Sequence, residues 1–539
     1  MNEDHFNHEE LRFGSADWAD ESSLRRAGLF AGGGLHLGFA GKRQIRLVSD
    51  APVILFGGSG SGKTRDFLGY VVCDSTGVPM ITLDPRGELG AISFNTQAKN
   101  NEYGFYWNPI GIGDWLPQHS VNPLDILSLA APTFHADVGF IAEGLIPLSG
   151  STSGQYFEQR AREWVGAILK ARVEQTGVVS FPALYRIINA IESNPRTWAD
   201  QLEFMLSSRF ADIRRMAAEA LTKQQDSPRE FGAIMGSIYA NLSFLSDPAL
   251  LRSLEGGDFS LSALTDPERI CKIFLNIPAE YLKLWSPILR VMFTTAMLYK
   301  SRKPQARQIL MVIDEAGQLG RAEFLMRGFT YGRGAGVRTL ALFQDSGQVV
   351  AHYGHAGLQT LIGSAQTRIW FGVRDAQTAE LVSQMLGTQT LEYDDTLARD
   401  AAQFQKRDLA RCVLLGGDPY TLAHEYAQLN RAANTRTKQA RALLSVDEVL
   451  NLPETQAIVF VSGLGLRPFL VGKHAYYEQR FMAGKYLPNP YHPPLDRLTV
   501  RGRFGMKTVP VTRGSVPQNM RHFPQYSTGT TLHLAGYPL

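Results

Sequence analysis

A chain of 539 residues is too long for one ordinary domain, and with 44% apolar residues it can bury a sizeable core, which excludes a fibrous or wholly disordered protein. Its 54 Lys and Arg nearly balance 51 Asp and Glu, and a net charge of +3 does not by itself mark a polyanion binder, so the distribution of charge carries more than its sum. No apolar run approaches the roughly 18 residues of a spanning helix, and the Ala27–Ala40 stretch is short, glycine-rich and broken by His36, so neither a membrane span nor a signal peptide is expected. Cys73, Cys271 and Cys412 lie far apart without CxxC spacing or His partners, which points to buried thiols in a reducing compartment and to no metal centre of their own.

In chain order, residues 1–26 concentrate Glu3, Asp4, Glu9, Glu10, Asp17, Asp20 and Glu21 with little apolar periodicity, and read as a loosely ordered acidic arm. Glycine turns alternating with apolar runs from Gly28 to Asp50 predict strands. The β-branched run at Val53 then feeds into Gly57-Gly58-Ser59-Gly60-Ser61-Gly62-Lys63-Thr64, the pattern GxxxxGK[ST]. Tetrahedral phosphates need several backbone N–H donors pointing inward, and glycines at 57, 58, 60 and 62 allow the chain to curl that way. Lys63 would reach the β- and γ-phosphates of ATP, and Thr64 would offer its hydroxyl to Mg²⁺ at a helix N-terminus.

A second buried strand, Pro79–Leu83, ends in Asp84-Pro85-Arg86-Gly87-Glu88, which reads either as charge at a ligand-binding sheet edge or as a plain turn. From Asn122 to Asp266 the β pattern gives way to helical spacing, with Phe157, Ala161, Trp164, Val165, Ile168 and Leu169 on one face and Ser227-Pro228-Arg229-Glu230 as a capping box. This all-helical insertion has a net charge of −5, which suits protein docking or a solvated exterior better than a nucleic-acid backbone.

The strand pattern resumes at Lys272–Ile277. Gln308–Ile313 then runs into Asp314-Glu315, where Asp314 would hold Mg²⁺ through water and Glu315 would polarise the water attacking the γ-phosphate. A further strand, Val337–Phe343, ends in Gln344; inserted between the first strand and the Asp-Glu strand, it would bring that amide to the γ-phosphate. Arg333, flanked by glycines, suits a finger reaching a neighbouring subunit's nucleotide, although taken alone it reads better as an exposed arginine. After the Thr367–Gly372 strand, residues 395–440 read as polar and irregular. Ser445–Glu448 caps a short helix before a strand pair at Gln456–Ser462 and Pro468–Val471. From Lys485 on, seven cations against Asp496 among many prolines read as a disordered basic tail that touches DNA or acidic lipid weakly.

Together, GGSGSGKT, LDPRGEL, VNPLD, GDFSLSAL, IFLNIPAE, LMVIDEAG, YGRGAGVRTLALFQDSGQV, FGVRDAQTAELVSQMLGTQT and LLSVDEVLNLPETQAIVFVSGLGLRPFLVGKHAYY resemble the coupling-protein family of type IV secretion and conjugation systems, over about residues 50–482. The resemblance implies an α/β architecture: a RecA-like P-loop motor domain over 27–121 and 267–484, with an inserted all-α domain over 122–266, between the arm (1–26) and the tail (485–539). It implies a homo-hexameric ATPase that uses ATP and Mg²⁺ to recruit relaxase-bound single-stranded DNA and feed it to secretion-channel proteins. By motif, Asp314 and Glu315 match the Walker B pair, Arg333 the arginine finger and Gln344 the glutamine of the following strand. The family's usual N-terminal transmembrane helices have no counterpart here, so the expectation is a cytoplasmic protein, peripheral to a bacterial inner membrane and held there by a separate membrane protein. Arg86 stands where the family often has lysine. The competing functions are a hexameric DNA pump for segregation or packaging, and a nucleotide-gated adaptor for secreted effectors with little turnover.

Overall fold

Buried apolar runs assemble into one eleven-stranded mixed sheet in the computed structural model, which describes residues 11–148, 152–393, 396–414, 424–425, 427–430 and 437–538. A short helix α1 (Glu21–Arg26) precedes an antiparallel pair, β1 (Leu35–Ala40) and β2 (Arg43–Leu47). Strand β3 (Val53–Gly57) leads through the glycine loop into a π-type turn over Thr64–Leu68 and helix α2 (Gly69–Asp74). Next come β4 (Met80–Leu83), α3 (Glu88–Lys99) and β5 (Glu102–Trp107).

The helical insertion contains α4 (Phe134–Leu145), α5 (Thr152–Thr176), α6 (Phe181–Ser193), α7 (Pro195–Leu206), α8 (Ala211–Asp226), α9 (Pro228–Leu242) and α10 (Pro248–Ser253). Ala161, Trp164, Val165, Ile168 and Leu169 of α5 are buried, as their spacing requires. Helix α9 does begin at Pro228, but its capping box is not formed: the Ser227 side chain makes no cap bond, and the Glu230 carboxylate is taken by the Lys223 ammonium and the Tyr156 hydroxyl.

The sheet continues with β6 (Ile270–Leu275), β7 (Ile309–Ile313), β8 (Val337–Phe343) and β9 (Thr367–Phe371). Strands β10 (Thr388–Tyr393) and β11 (Thr437–Ala442) pair separately, while β12 (Gln456–Val461) and β13 (Phe469–Gly472) return to the large sheet. Its order is β2-β1-β13-β12-β9-β3-β8-β7-β4-β6-β5, and the run from β9 to β5 is parallel. Every residue of β3, β7 and β8 is buried, since a central parallel strand is covered on both faces; β3 and β7 therefore read as unbroken apolar runs, while β8 also buries Arg338 and Thr339.

The chain divides into two compact units. One holds the large sheet together with the helical insertion; the other comprises residues up to Asp20, Val373–Leu452 and Arg467–Phe469. The helical segment therefore groups with the sheet, whereas residues 373–452, assigned above to the motor domain, form a unit with the N-terminal residues. Within that unit the arm is ordered from Leu11, because Ala19 N–H donates to the Pro468 carbonyl (2.8 Å) and Arg467 pairs with Asp17 (2.6 Å); residues 1–10 lie outside the described residues. The stretch expected to be irregular contains a helix over Thr396–Leu414 as well as β11, and most of 415–436 lies outside the described residues. The Ser445 capping box is complete, with Glu448 N–H donating to Oγ (3.3 Å) and Ser445 N–H to the Glu448 carboxylate (2.9 Å).

The basic tail is not disordered. It forms an antiparallel meander of β14 (Arg497–Gly502), β15 (Gly505–Ser515) and β16 (Thr530–Leu534). Composition misleads here because the anchors are few and specific. The buried Gln525 amide accepts from Gly104 N–H (2.8 Å) and donates to the Glu102 carbonyl (3.0 Å), completing the exposed edge of β5 as another strand would. Asn95 of α3 accepts from Tyr526 Oη (3.2 Å) and Thr531 Oγ1 (2.9 Å).

Cys73 and Cys271 are buried free thiols whose pKa burial pushes up to about 12; the side chain of Cys412 lies outside the described residues. Among the described residues no helix is long and apolar enough to cross a membrane.

Candidate nucleotide-binding site

The parallel strands all deliver their carboxyl ends to one edge, where ligands bind in open α/β sheets. A cavity of about 1090 Å³ opens there, lined by residues 58–65 of the glycine loop together with Asp84, Asp314, Glu315 and Gln344. Of the loop glycines, only Gly60 (φ 74°) and Gly62 (φ 90°) take positive φ. Gly57 is required for a different reason: a Cβ there would come within 2.9 Å of the Phe371 backbone and of Ser61 Oγ. Gly58 does not take positive φ, so two of the four loop glycines, 60 and 62, use dihedrals that favour glycine.

Lys63 folds back on its own loop, with Nζ 2.6 Å from the Gly57 carbonyl, 3.4 Å from that of Gly58 and 4.0 Å from a Glu315 oxygen. Glu315 itself is in the left-handed region (φ 59°, ψ 44°), an unusual state for a non-glycine residue that aims its carboxylate into the cavity. Because β8 lies between β3 and β7, Gln344 meets that carboxylate, and its Nε2 donates to Glu315 Oε2 at 3.0 Å. Asp314 is half-buried, and its Oδ1, which is buried, has no hydrogen-bond partner among the described residues. Burial, with the Glu315 charge adding to it and Lys63 opposing, pushes this carboxyl up to about 7.

Arg333 is not in this group. It lies just before β8, is 67% exposed and pairs with Asp50 at 2.9 Å, at the amino edge of the sheet. The seven residues of β8 separate it from the loop edge by about 23 Å at the rise of a parallel strand.

Several supports carry no local sequence signal. Lys473, after β13, donates to the Ser61 carbonyl (2.6 Å) and sits over the Phe371 ring (4.5 Å), clamping the loop from behind. Asp66, buried, takes both nitrogens of the Arg65 fork (2.7 and 2.8 Å) while its N–H donates to the Gly62 carbonyl (2.7 Å). Asp84 turns out to brace α3: its Oδ2 accepts from Gly90 N–H (2.9 Å) and Asn276 Nδ2 (3.1 Å), within a turn closed by Gly87 at φ 66°. Arg86 is exposed and lies over the Tyr491 ring at 5.6 Å.

The arrangement can cradle a polyphosphate, neutralise it with Lys63 and a cation at Asp314, and place a carboxylate beside the terminal phosphate. Comparison with known proteins agrees with the fold. The chain is 24% identical over 452 residues to the type IV secretion system-coupling protein VirD4 of Bartonella quintana, covering 82% of this chain and 65% of that relative's length. It is 22% identical over 541 residues to a conjugal transfer protein TraG of Escherichia coli, covering 88% and 79%. Among solved structures, the plasmid coupling protein TrwB in complex with ADP and Mg²⁺ matches with a TM-score of 0.59 at 18% identity, covering 85% of this chain and 94% of that one. TrwB with an ATP analogue matches at 0.57 and 16%. At these identities the likeness is one of fold, a RecA-like P-loop domain. The family model for type IV secretory system conjugative DNA transfer matches residues 17–493, and the chain belongs to that family.

Proposed function

We propose that this chain is the ATPase of a conjugative DNA-transfer apparatus, a ring-forming motor that couples ATP hydrolysis to recruitment of relaxase-bound single-stranded DNA and its passage into a type IV secretion channel. The observation that carries the reading is the convergence of Lys63, Asp314, Glu315 and Gln344 on one cavity of a family member. A nucleotide-gated adaptor has no chemical need of all four.

Mg²⁺ and ATP fit the residues present: the unpartnered, buried Asp314 oxygen and Thr64 at the start of the helix would hold the cation, which with the nucleotide supplies a polarised phosphoanhydride. Lys63 exchanges the carbonyls of Gly57 and Gly58 for phosphate oxygens. Glu315 accepts the proton of the attacking water, and Gln344 holds that carboxylate in place until the terminal phosphate competes for its amide. Arg333 acts on a neighbouring subunit's nucleotide, in a ring of six that delivers DNA to channel proteins at the inner face of a bacterial membrane.

The test is ATP hydrolysis with and without single-stranded DNA. The rate should rise with DNA, and Lys63→Ala should abolish both rates with an unchanged circular dichroism spectrum, since a loop cation rather than core volume is removed. A wild-type rate in that variant, at saturating ATP and Mg²⁺, removes the loop from the mechanism. ATP binding without turnover in the unaltered protein replaces the motor with an adaptor for secreted proteins.

A further inference from the structure

The cavity at the glycine loop has a second wall, made by the C-terminal segment. Tyr477, Leu487, His492, Arg497, Leu498 and Thr508 line it, and the last three lie beyond residue 493, where the match to the family model stops. The two walls differ in chemistry. The loop side offers glycine backbone and Lys63, suited to phosphate. The C-terminal side offers an aromatic ring, aliphatic side chains, a hydroxyl and a guanidinium that makes no hydrogen bond or ion pair among the described residues, suited to a planar heterocycle and a sugar.

This wall is held in place before any ligand arrives. Tyr486 Oη donates to the Tyr477 carbonyl (3.0 Å) or the Thr499 carbonyl (3.1 Å), joining the tyrosine segment to β14. Leu487 N–H donates to the Ile92 carbonyl (2.8 Å), Asn489 Nδ2 to the Glu88 carboxylate (2.7 Å) and Tyr491 Oη to the Arg86 carbonyl (2.8 Å), so the segment is stapled along α3 and the turn before it. Gln525 and the Asn95 network fix the far end of the meander on β5 and α3. An ordered segment anchored at both ends of its passage across the cavity costs little further entropy on binding.

We infer that the C-terminal meander and the Tyr477 segment form the nucleoside-binding half of the site, with Tyr477 and Arg497 contacting the base and ribose of the nucleoside triphosphate whose phosphates the glycine loop holds. The inference rests on the nucleotide reading above and assigns to the tail a role in nucleotide affinity.

The experiment compares ATP with inorganic tripolyphosphate, by fluorescent-nucleotide displacement, in full-length Tyr477→Ala, Arg497→Ala and Lys63→Ala. Arg497 is exposed on β14 and without a protein partner among the described residues, so its removal leaves the fold intact, which thermal melting verifies. Both wall variants should bind ATP at least about fivefold more weakly and tripolyphosphate as the unaltered protein does. Lys63→Ala should weaken both ligands. If Lys63→Ala weakens neither, the nucleotide reading itself fails. If it weakens both while the wall variants bind ATP normally, or lose tripolyphosphate in equal measure, the assignment of the wall is overturned and the phosphate site stands. Arg513→Ala, on β15 outside the cavity, should match the unaltered protein for both ligands.

Discussion

Glu315 concentrates the chemistry of the site in one strained residue. A left-handed backbone costs a non-glycine residue on the order of 1–3 kcal/mol, and here it turns the carboxylate toward Gln344 and Lys63 instead of along the strand. On the mechanism proposed above, Glu315→Gln keeps the shape and leaves Asp314 to hold the cation but removes the base. The variant should bind ATP with near-normal affinity and hydrolyse it slower by at least about a hundredfold, the usual contribution of a positioned base. Equilibrium binding alongside single-turnover hydrolysis checks this, and a variant that fails to bind ATP would contradict the role. The same residue shows what local reading captures: an Asp-Glu pair after a buried run is visible in sequence, whereas the hydrogen bond to Gln344 depends on which strands are neighbours.

At the scale of elements, two helix glycines separate packing from propensity. Gly69 opens α2, and a Cβ there would sit 2.4 Å from the Tyr476 ring, which also lines the cavity. Gly236 in α9 is exposed with nothing within 4 Å. Gly236→Ala should therefore stabilise by about 0.5–1 kcal/mol, while Gly69→Ala should destabilise by about 1–3 kcal/mol and weaken ATP binding. Opposite shifts in melting temperature are the readout. The packing of β1 on α2 also makes the fold acid-sensitive. His36 of β1 is buried and stacked on Tyr70 at 4.0 Å; burial first, then Arg46 and His474, lower its pKa to about 3, with the Asp66 backbone opposing. The folded ring resists a proton that the unfolded chain accepts near its ordinary 6.5, so this contribution is complete above about pH 6.5 and is lost as pH falls toward 3. By pH 4.5 the loss should reach roughly 2–3 kcal/mol, and His36→Gln, whatever its stability at neutral pH, should lose less over that window in melts from pH 7.5 to 4.5.

The whole molecule sets the reach of Arg333. With the loop at the carboxyl edge and Arg333 at the amino edge, the fold keeps Arg333 away from the glycine loop of its own chain, so the finger role proposed above requires a neighbouring copy. In a ring, Arg333→Ala and Lys63→Ala should each be inactive alone, by about 10³-fold or more for a finger, yet mixed rings contain interfaces with an intact loop facing an intact arginine. Activity should return when the two purified variants exchange subunits. No recovery at any mixing ratio would place Arg333 outside the chemistry.

By itself the sequence determined the glycine loop, the Asp-Glu pair, the buried strands and the helical insertion, because each is a contiguous motif or a periodicity written into neighbouring residues. Strands such as β3 and β7 are covered on both faces, so their burial shows as an unbroken apolar run. Tertiary structure alone decided what depends on distant partners. Lys473 reaches Ser61 across 412 positions, and Gln344 meets Glu315 only because β8 inserts between β3 and β7. The tail was illegible for the same reason: β15 buries only Val509 and Val511 among exposed residues, too weak a pattern to read as a strand. Its order comes from Gln525 completing the edge of β5 and from Asn95 on α3, hydrogen bonds to groups more than 400 residues away that no local composition encodes.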